Sequence, residues 1–311
     1  MRHSQQLHAL AATARIANLP SVVSNVWLGV AVGAMATGGL ADGRLWGRAA
    51  TLAAAGACLY LAGNFFNDWA DCRWDAQHRP ERALPRGLFP PGSYLAVTLL
   101  GCLLGVGAAA AVDCRCLLVA LLIVTCIVTY TRWHKRSAWA VVPLGLCRAM
   151  LPGLGFLGIL APGGLGSMAV IASSCGLLAH VAGLSLSARY ESLAGPSGPA
   201  MGFSRALFPA VAVAMWFASY QGLSLPLATC LLGLLPYTLW IALCLTVWRR
   251  PVSRHVSNLL AGIPLVDWIV LLPLALAQGA HGWSALAAMS LLLPPLALLL
   301  GKLLQRLAPA T

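Results

Sequence analysis

Residues 49–75 read AATLAAAGACLYLAGNFFNDWADCRWD. The stretch opens as an apolar run, assigned here to residues 49–68, of about twenty residues, which is the length that crosses a bilayer as a helix. It ends in three aspartates, Asp68, Asp71 and Asp75. An apolar helix with carboxylates at one end is typical of a membrane boundary.

The composition extends this interpretation to the whole chain. Apolar residues make up 59% of the 311 residues and charged residues only 9%, against roughly 25% charged in ordinary soluble proteins. Mean hydropathy is +0.81. So few charges cannot cover a water-facing surface, and the chain is therefore predicted to be an all-α integral membrane protein. The net charge of +12 is spread over short loops, which excludes a nucleic-acid-binding protein.

Ten apolar segments predict membrane-spanning helices within a single domain of residues 1–311. Helices are the one open-chain structure that satisfies its own backbone hydrogen bonds in lipid. Nine to ten spans are expected, since the C-terminus changes side if one of the last two segments fails to cross. The segments are 17–36, 49–68, 93–112, 116–131, 138–161, 167–187, 204–221, 225–248, 257–277 and 283–301. Glycines at four-residue spacing, such as Gly29–Gly33 and Gly101–Gly105, predict close helix packing.

Lysine and arginine are distributed unequally between the two sides of such a bundle. Ten alternating spans place sixteen of these residues on one side and only Arg44, Arg48 and Arg115 on the other. Cytoplasmic loops carry the excess of positive charge. The sequence thus predicts a multi-pass protein of the inner (cytoplasmic) membrane, with both termini and the long loops in the cytoplasm.

The acidic residues are concentrated in one place, because four of the eight fall between positions 68 and 81. At 100° per residue, three aspartates and two asparagines share one side of the second span. We call this set the acidic face: Asn64, Asn67, Asp68, Asp71 and Asp75.

Like charges beside low-dielectric lipid need a compensating cation. Oxygen ligands without histidine or thiolate suit Mg²⁺, which commonly binds one or two carboxylates plus substrate phosphates. The acidic face therefore predicts a magnesium site. The alternative is a solvated helix end whose aspartates pair with Arg73, Arg79 and Arg82.

These residues also match a known pattern. The text Asn67-Asp68-x-x-Asp71-x-x-x-Asp75, with Arg79-Pro-Glu-Arg82 and Pro85-Arg86-Gly87 after it, resembles the first aspartate-rich motif and following loop of the UbiA superfamily of intramembrane prenyltransferases. Two weaker elements occur in the expected order over about residues 10–250. Arg15-Ile-Ala-Asn18-Leu-Pro20 resembles the family's first-helix opening, and Tyr130 with Lys135 and Arg136 resembles its Tyr–Lys element.

The resemblance implies a bundle of nine to ten transmembrane helices around a central, lipid-accessible cavity. It further implies Mg²⁺-dependent transfer of an isoprenyl group from an isoprenyl diphosphate to an aromatic or lipophilic acceptor. By carry-over, the metal ligands would be Asn67, Asp68, Asp71 and Asp75, and the candidate catalytic residues Asp68, Asp71, Asp75 and Lys135. The candidate substrate-binding residues are Asn64, Asn67, Arg79, Arg82, Tyr130 and Arg136.

The family's second aspartate motif is incomplete here. At the end of the sixth span the sequence reads Gly183-Leu-Ser185-Leu-Ser187-Ala-Arg189-Tyr190-Glu191. Glu191 is the one carboxylate there that could bind a metal ion, and Arg189 is expected to bind diphosphate in place of a second Mg²⁺. This text and Gly145-Leu-Cys147-Arg148 resemble a divergent subgroup, the UbiA-like member of the ebo gene clusters, so the acceptor stays open.

Two charges fall inside predicted spans. Arg148 and Asp267 each lie about ten residues into their segments, where an unpaired ion costs at least about 2.5–3.5 kcal/mol. Either the two residues pair with each other, or Arg148 reaches the substrate. His180, also within a span, is expected to be a core or cavity-facing residue and not a catalytic base.

Two other functions are compatible with this sequence. The incomplete second motif fits a protein that binds or carries an isoprenoid or lipid without transfer. A secondary transporter predicts ionisable residues and broken helices near mid-membrane, whereas most acids here lie at the cytoplasmic rim, so this function ranks last.

Overall fold

The computed structural model describes residues 2–36, 43–159, 165–192, 199–280 and 282–308. Within these ranges the regular structure is entirely helical. The α-helices are α1 (Arg2–Ala14), α2 (Leu19–Ala36), α3 (Arg44–His78), α4 (Pro91–Val112), α5 (Cys114–Trp133), α6 (Val141–Ile159), α7 (Leu165–Ser192), α8 (Pro199–Phe217), α9 (Leu227–Leu245), α10 (Val252–Ala261), α11 (Ile263–Gly279) and α12 (Ala285–Leu307).

Ten of the helical segments are long and apolar enough to cross a membrane, with α10 and α11 together forming one of them. Each predicted segment coincides with one of these ten, which confirms the all-helical membrane fold. The structure differs from the prediction at two places. Helix α3 continues beyond the apolar run to His78, and an additional helix, α1, precedes the first span.

The most buried spans form the centre of the bundle. Helix α2 packs against α3, α6, α7, α11 and α12, and the α10–α11 segment is more completely buried than any other described span. The outer helices α4, α5, α9 and α12 instead expose leucines, such as Leu103 and Leu239, along much of their length. Apolar side chains can face outward here because lipid is as apolar as they are.

Glycines allow the closest helix contacts. A Cβ atom added to Gly29 of α2 would lie 1.8 Å from the carbonyl oxygen of Pro152 in α6, and one added to Gly155 of α6 would lie 2.1 Å from that of Val26. Gly101 and Gly105 likewise bring α4 against the backbone of α3. The predicted role of the four-residue glycine spacing is thereby confirmed at both places.

The loop between α3 and α4 is tied to the bundle by its apolar residues. Ala83 and Leu84 are buried in a small cluster with Phe65, Tyr94 and Ala14. Gly87 closes the loop with a φ of 66°, a left-handed conformation that glycine adopts without strain. Burial of Ala83 and Leu84 fixes the position of the preceding residue, Arg82, which is central to the candidate site.

Candidate functional site

The acidic face lies on the last turns of α3, at one end of the bundle. Asn64, Asn67, Asp71 and Asp75 are buried, and the side chain of Asp68 is 13% exposed. The face therefore points into the protein. It is not a solvated helix end. The alternative interpretation holds in one respect, because Arg82 does pair with carboxylates of this face.

Arg82 joins two of the aspartates. Its Nη1 atom lies 2.9 Å from Oδ1 of Asp68 and 3.0 Å from Oδ2 of Asp75. One guanidinium thus separates two carboxylates that would otherwise repel each other in a partly dry site. Asp75 is only 2% exposed, so the loss of this partner would leave a buried charge unpaired.

Asp71 has a different pair of partners, from the segment that follows α5. Lys135 Nζ lies 2.7 Å from Asp71 Oδ1, and His134 Nε2 lies 3.1 Å from Asp71 Oδ2. Lys135 also lies 4.0 Å from the centre of the Trp74 ring. The sequence-predicted Lys135 is therefore brought directly to the acidic face.

His134 is a site residue that sequence reasoning missed. Its Nδ1 atom lies 3.0 Å from the carbonyl oxygen of Thr131, and a carbonyl can only accept a hydrogen bond. The Nε2 atom lies 3.1 Å from Oδ2 of Asp71, so the ring joins the end of α5 to the acidic face. Its position beside the predicted Lys135 was the one signal that could have identified it.

The junction between α1 and α2 is tied to the deeper part of the acidic face. Arg15 adopts a left-handed φ of 46°, which is uncommon for a residue with a Cβ atom. Its Nη1 donates to Asn64 Oδ1 at 3.3 Å, Asn64 Nδ2 donates to the Ala14 carbonyl at 3.1 Å, and Tyr60 donates to the Arg15 carbonyl at 3.1 Å. These bonds hold the strained residue in place, with its guanidinium beside the site.

A cavity of about 1060 Å³ opens beside these groups. Its walls come from α1, α3, α6, α7, α10, α11 and the loop after α3. Its charged lining consists of five arginines and two acids, Asp68 and Glu81, so positive charge dominates. The arginines are Arg15, Arg79, Arg82, Arg86 and Arg148.

The fit of the acidic face to Mg²⁺ depends on its oxygen atoms. Among the described residues, no three acidic, histidine or cysteine side chains lie close enough together to hold a metal ion as a group. The amide oxygen of Asn67, however, is buried without a hydrogen-bond partner, and the acidic face supplies only oxygen donors. This arrangement fits Mg²⁺, which usually takes one or two carboxylates and completes its coordination with water and substrate phosphates.

Other predicted residues lie near the site without lining the cavity. Tyr130 packs against His134 with ring centres 5.0 Å apart. Arg189 donates to the carbonyl oxygens of His134 and Ser137 at 3.4 and 3.3 Å, and so braces the segment that carries Lys135. Arg136 is exposed.

The incomplete second motif contributes differently from its counterpart on α3. Ser185 lines the cavity, whereas the Ser187 hydroxyl is bonded to that of Ser204 at 2.8 Å. The side chain of Glu191 lies outside the described part of the structure. Among the cavity-lining residues that are described, α7 therefore presents no carboxylate.

The expected pair of buried charges is not in direct contact, and that prediction was wrong. Asn25 lies between them: its Oδ1 accepts from Arg148 Nη1 at 3.1 Å, and its Nδ2 donates to Asp267 at 2.8 and 3.0 Å. Asn25 had no periodic or charge signal that could reveal this role. Arg148 itself lines the cavity, which is the geometry that the alternative interpretation required.

His180 is a core residue. It is completely buried, with Nε2 3.1 Å from the Leu259 carbonyl and Nδ1 3.3 Å from the Tyr237 hydroxyl. Since both ring nitrogens are occupied by protein groups, the residue is not placed to act as a catalytic base.

Comparisons with known proteins agree with this architecture. The UbiA prenyltransferase family model matches residues 25–263. The structure described for digeranylgeranylglyceryl phosphate synthase in membranes is similar, with a TM-score of 0.60, 15% identity, and coverage of 87% of this chain and 97% of that chain. An apo structure of a UbiA homolog from Aeropyrum pernix K1 gives a TM-score of 0.64, 18% identity, and coverage of 81% and 96%.

No curated protein matches the chain. At 15% and 18% identity, the two structural likenesses show the fold alone. The family model, in contrast, spans most of the sequence. The chain therefore belongs to the UbiA prenyltransferase family.

Proposed function

We propose that this protein is a membrane prenyltransferase that uses Mg²⁺ and an isoprenyl diphosphate to alkylate a lipophilic acceptor. Family membership supports the reaction class. The observation that carries the proposal is the cavity of about 1060 Å³, whose lining combines Asp68 and the arginines of the loop after α3 with apolar residues of α7, α10 and α11. Such a cavity matches a substrate with a highly charged head and a long apolar chain.

We call the part of the cavity that is lined by Asp68 and the loop after α3 its charged end. The arginines there would bind the diphosphate. Arg79, Arg82 and Arg86 come from one short loop, and Arg15 faces them from the α1–α2 junction. A guanidinium binds phosphate oxygens through two parallel N–H donors, which adds orientation to charge. Lys135, held at Asp71, would add a compact point charge.

The acidic face would hold the metal ion. We propose Asn67 and one or two of the carboxylates of Asp68, Asp71 and Asp75 as its protein ligands. When bound, Mg²⁺ would supply positive charge that stabilises the departing diphosphate. Arg82, Lys135 and His134 keep these carboxylates apart and oriented.

The apolar wall would protect the reacting carbon from water. Val181 and Leu184 of α7, Leu260 of α10 and Ile263 of α11 all line the cavity. Loss of diphosphate from an allylic carbon leaves a cation that water would quench, and a dry cavity prevents this side reaction. The same apolar surface would accommodate the isoprenyl chain.

We also propose that the charged end faces the cytoplasm, as the distribution of lysine and arginine predicts. The protein would then lie in the inner membrane, whose lipid would also dissolve the isoprenyl chain. Labelling of single cysteines introduced in the loop after α3, from either side of sealed vesicles, tests this orientation directly.

Diphosphate release tests the proposed reaction. Purified protein is given isoprenyl diphosphates of several chain lengths, with membrane lipid extract as the source of acceptor, with and without Mg²⁺. We expect release by the wild type with Mg²⁺ and background release by Asp71→Ala. The matched control is Arg132→Ala, a change at an exposed residue on the last turn of α5.

The alternative is an isoprenoid- or lipid-binding protein without transferase activity. It is supported by the absence of a carboxylate among the described lining residues of α7. Background release by both wild type and Asp71→Ala, with isoprenoid binding retained, would replace the transferase proposal with this one.

A further inference from the structure

Basic side chains from two helices meet at the end of the bundle where α9 and α12 finish. Arg254 lies in the first turn of α10, and Lys302 and Arg306 lie in the last two turns of α12. Electrostatic repulsion from both arginines acts on Lys302, so both lie within interaction range of its ammonium group. Two further arginines lie in the turn that leads into α10. We call this set the basic corner: Arg249, Arg250, Arg254, Lys302 and Arg306.

Lys302 is held in place between two helices. Its Nζ donates to Asn258 Oδ1 of α10 at 2.6 Å, and Gln305 Nε2 of α12 donates to the Ser257 carbonyl at 2.8 Å. Asn258 follows Arg254 by four residues, so both lie on the side of α10 that faces α12. Lys302 is half-buried, whereas a lysine at a membrane boundary usually extends its charge freely into water. The bundle therefore fixes this ammonium group next to the arginines that repel it.

The protein supplies little negative charge in this region. Residues 192–311 contain six lysines and arginines but one acid, Asp267. Asp267 is completely buried and accepts hydrogen bonds from Ser24 and Asn25 of α2. The ion pairs between residues that the structure describes all lie outside the basic corner. Like charges in a partly dry site need a compensating charge, which here would come from a bound anion.

The surface beside the basic corner is apolar and faces outward. Leu299 and Leu303 of α12 are 56% and 54% exposed, and each precedes a basic residue of the corner by three positions, which places it one turn deeper on the same side of the helix. Trp248, at the end of α9, packs against Trp240, and tryptophans at a helix end are typical of the headgroup level of a membrane. A ligand here would place an anionic group on the cations and an apolar chain along α12.

The basic corner is separate from the proposed reaction site. Val256 and Leu260 of α10 line the cavity. Arg254 and Asn258 each lie two positions from these residues, and therefore on the opposite side of the same helix. The described residues that line the cavity include no member of the basic corner. A diphosphate bound in the cavity would thus leave the charge of the corner uncompensated.

We infer that the basic corner binds the headgroup of an anionic phospholipid. Arginine binds phosphate oxygens through two parallel donors and lysine binds them as a point charge. Basic clusters between helices on the cytoplasmic side of a membrane are typical sites for such headgroups. A zwitterionic headgroup carries a cation of its own that the corner would repel, so the site selects lipids with net negative charge. The outward leucines of α12 would contact an acyl chain. This inference does not depend on the proposed transfer reaction.

Thermal unfolding in mixed micelles tests the site. Phosphatidylglycerol, or phosphatidylcholine with the same acyl chains, is titrated against wild type and against Arg254→Gln with Lys302→Gln, in which the new amide at 302 can still donate to Asn258. The matched control is Arg73→Gln with Arg132→Gln, which removes two exposed charges elsewhere on the same predicted side. We expect phosphatidylglycerol to raise the midpoint of wild type and control, and its apparent affinity to fall at least tenfold in the corner variant. Phosphatidylcholine should have little effect on any of them.

Two more variants make the test independent of folding defects. Arg254→Gln with Arg306→Gln changes exposed side chains only, and it should also weaken phosphatidylglycerol binding. Arg82→Gln, at the charged end of the cavity, should keep the wild-type preference. Equal responses to the two lipids, an equal loss in the matched control, or full stabilisation by inorganic phosphate without lipid would overturn the inference. A loss in Arg82→Gln while both corner variants respond normally would place the lipid headgroup in the cavity and would overturn it too.

Discussion

Lys135 Nζ lies 2.7 Å from Asp71 Oδ1, and this ion pair joins the segment after α5 to the last turns of α3. His134, from the same segment, contacts the other carboxylate oxygen of Asp71. The ion pair orients a carboxylate of the acidic face and also brings a flexible ammonium group to the proposed diphosphate site.

The first concerns Lys135 itself. Lys135→Met should lower the rate of diphosphate release by about ten- to hundredfold, because hydrogen bonds to charged groups contribute about 1.5–3 kcal/mol. Lys135→Arg should restore part of that rate, since it keeps the charge. Steady-state release with varied isoprenyl diphosphate is the measurement, with Arg132→Ala as the control. Rates for Lys135→Met equal to those of the control would remove Lys135 from the site.

The second prediction concerns Arg82, which is shared by Asp68 and Asp75. Arg82→Gln leaves these two carboxylates unpaired, so the unfolding midpoint should fall in the absence of divalent ions. Added Mg²⁺ should recover more of that midpoint in Arg82→Gln than in wild type, because the metal can replace the missing positive charge. Arg73→Gln, at an exposed position on the same helix, should show neither effect. The same loss with and without Mg²⁺ would argue against a metal site at the acidic face.

The third prediction concerns the buried chain Arg148–Asn25–Asp267. Asp267→Ala should destabilise the protein by about 3–5 kcal/mol, because it strands a buried guanidinium. Arg148→Gln combined with Asp267→Asn should cost less than Asp267→Ala, since no unbalanced charge remains. The measurement is the thermal unfolding midpoint of each variant in detergent. A double variant less stable than Asp267→Ala would show that charge balance does not govern this part of the core.

The fourth prediction concerns the crossing of α2 and α6. Gly155→Val should abolish the stable bundle, since even a Cβ atom at this position would lie 2.1 Å from the Val26 carbonyl oxygen. Overpacking typically costs about 1–3 kcal/mol where side chains can shift, and backbone atoms cannot move as easily. Gly153→Ala is the matched control on the same helix, because its Cβ atom would meet nothing within 4 Å. Yields of monodisperse protein after detergent extraction distinguish the two, and comparable yields would contradict the close crossing.

The fold could be predicted largely from local patterns. Apolar runs such as 93–112 predict membrane-spanning helices directly, because insertion into lipid depends on the residue types and on the length of the run. The four-residue glycine spacing likewise predicts close helix contacts at Gly29 and Gly101, although it does not say which helices they meet. Helix α1 had no such run, and its position depends on contacts such as the bond between Thr13 and the Tyr94 hydroxyl at 3.0 Å.

The candidate site was predictable on one helix and not across helices. The spacing of Asp68, Asp71 and Asp75 shows that they share a side of α3, because helical geometry repeats every 3.6 residues. Their partners come from other segments of the chain. Helical periodicity relates only residues of one helix, so it could not predict that His134 contacts Asp71. For the same reason a direct pair was expected where Asn25 intervenes between Arg148 and Asp267.

The amino-acid sequence by itself determined that this chain is a helical membrane protein with an acidic face at the end of its second span. Both properties depend on the nature and spacing of neighbouring residues, which act through burial in lipid and helical periodicity. Only the tertiary structure decided which cations pair with that face and which arginines line the cavity. Such contacts join residues distant in the chain, and their geometry is set by how closely the helices pack, down to the absence of a single Cβ atom at Gly155.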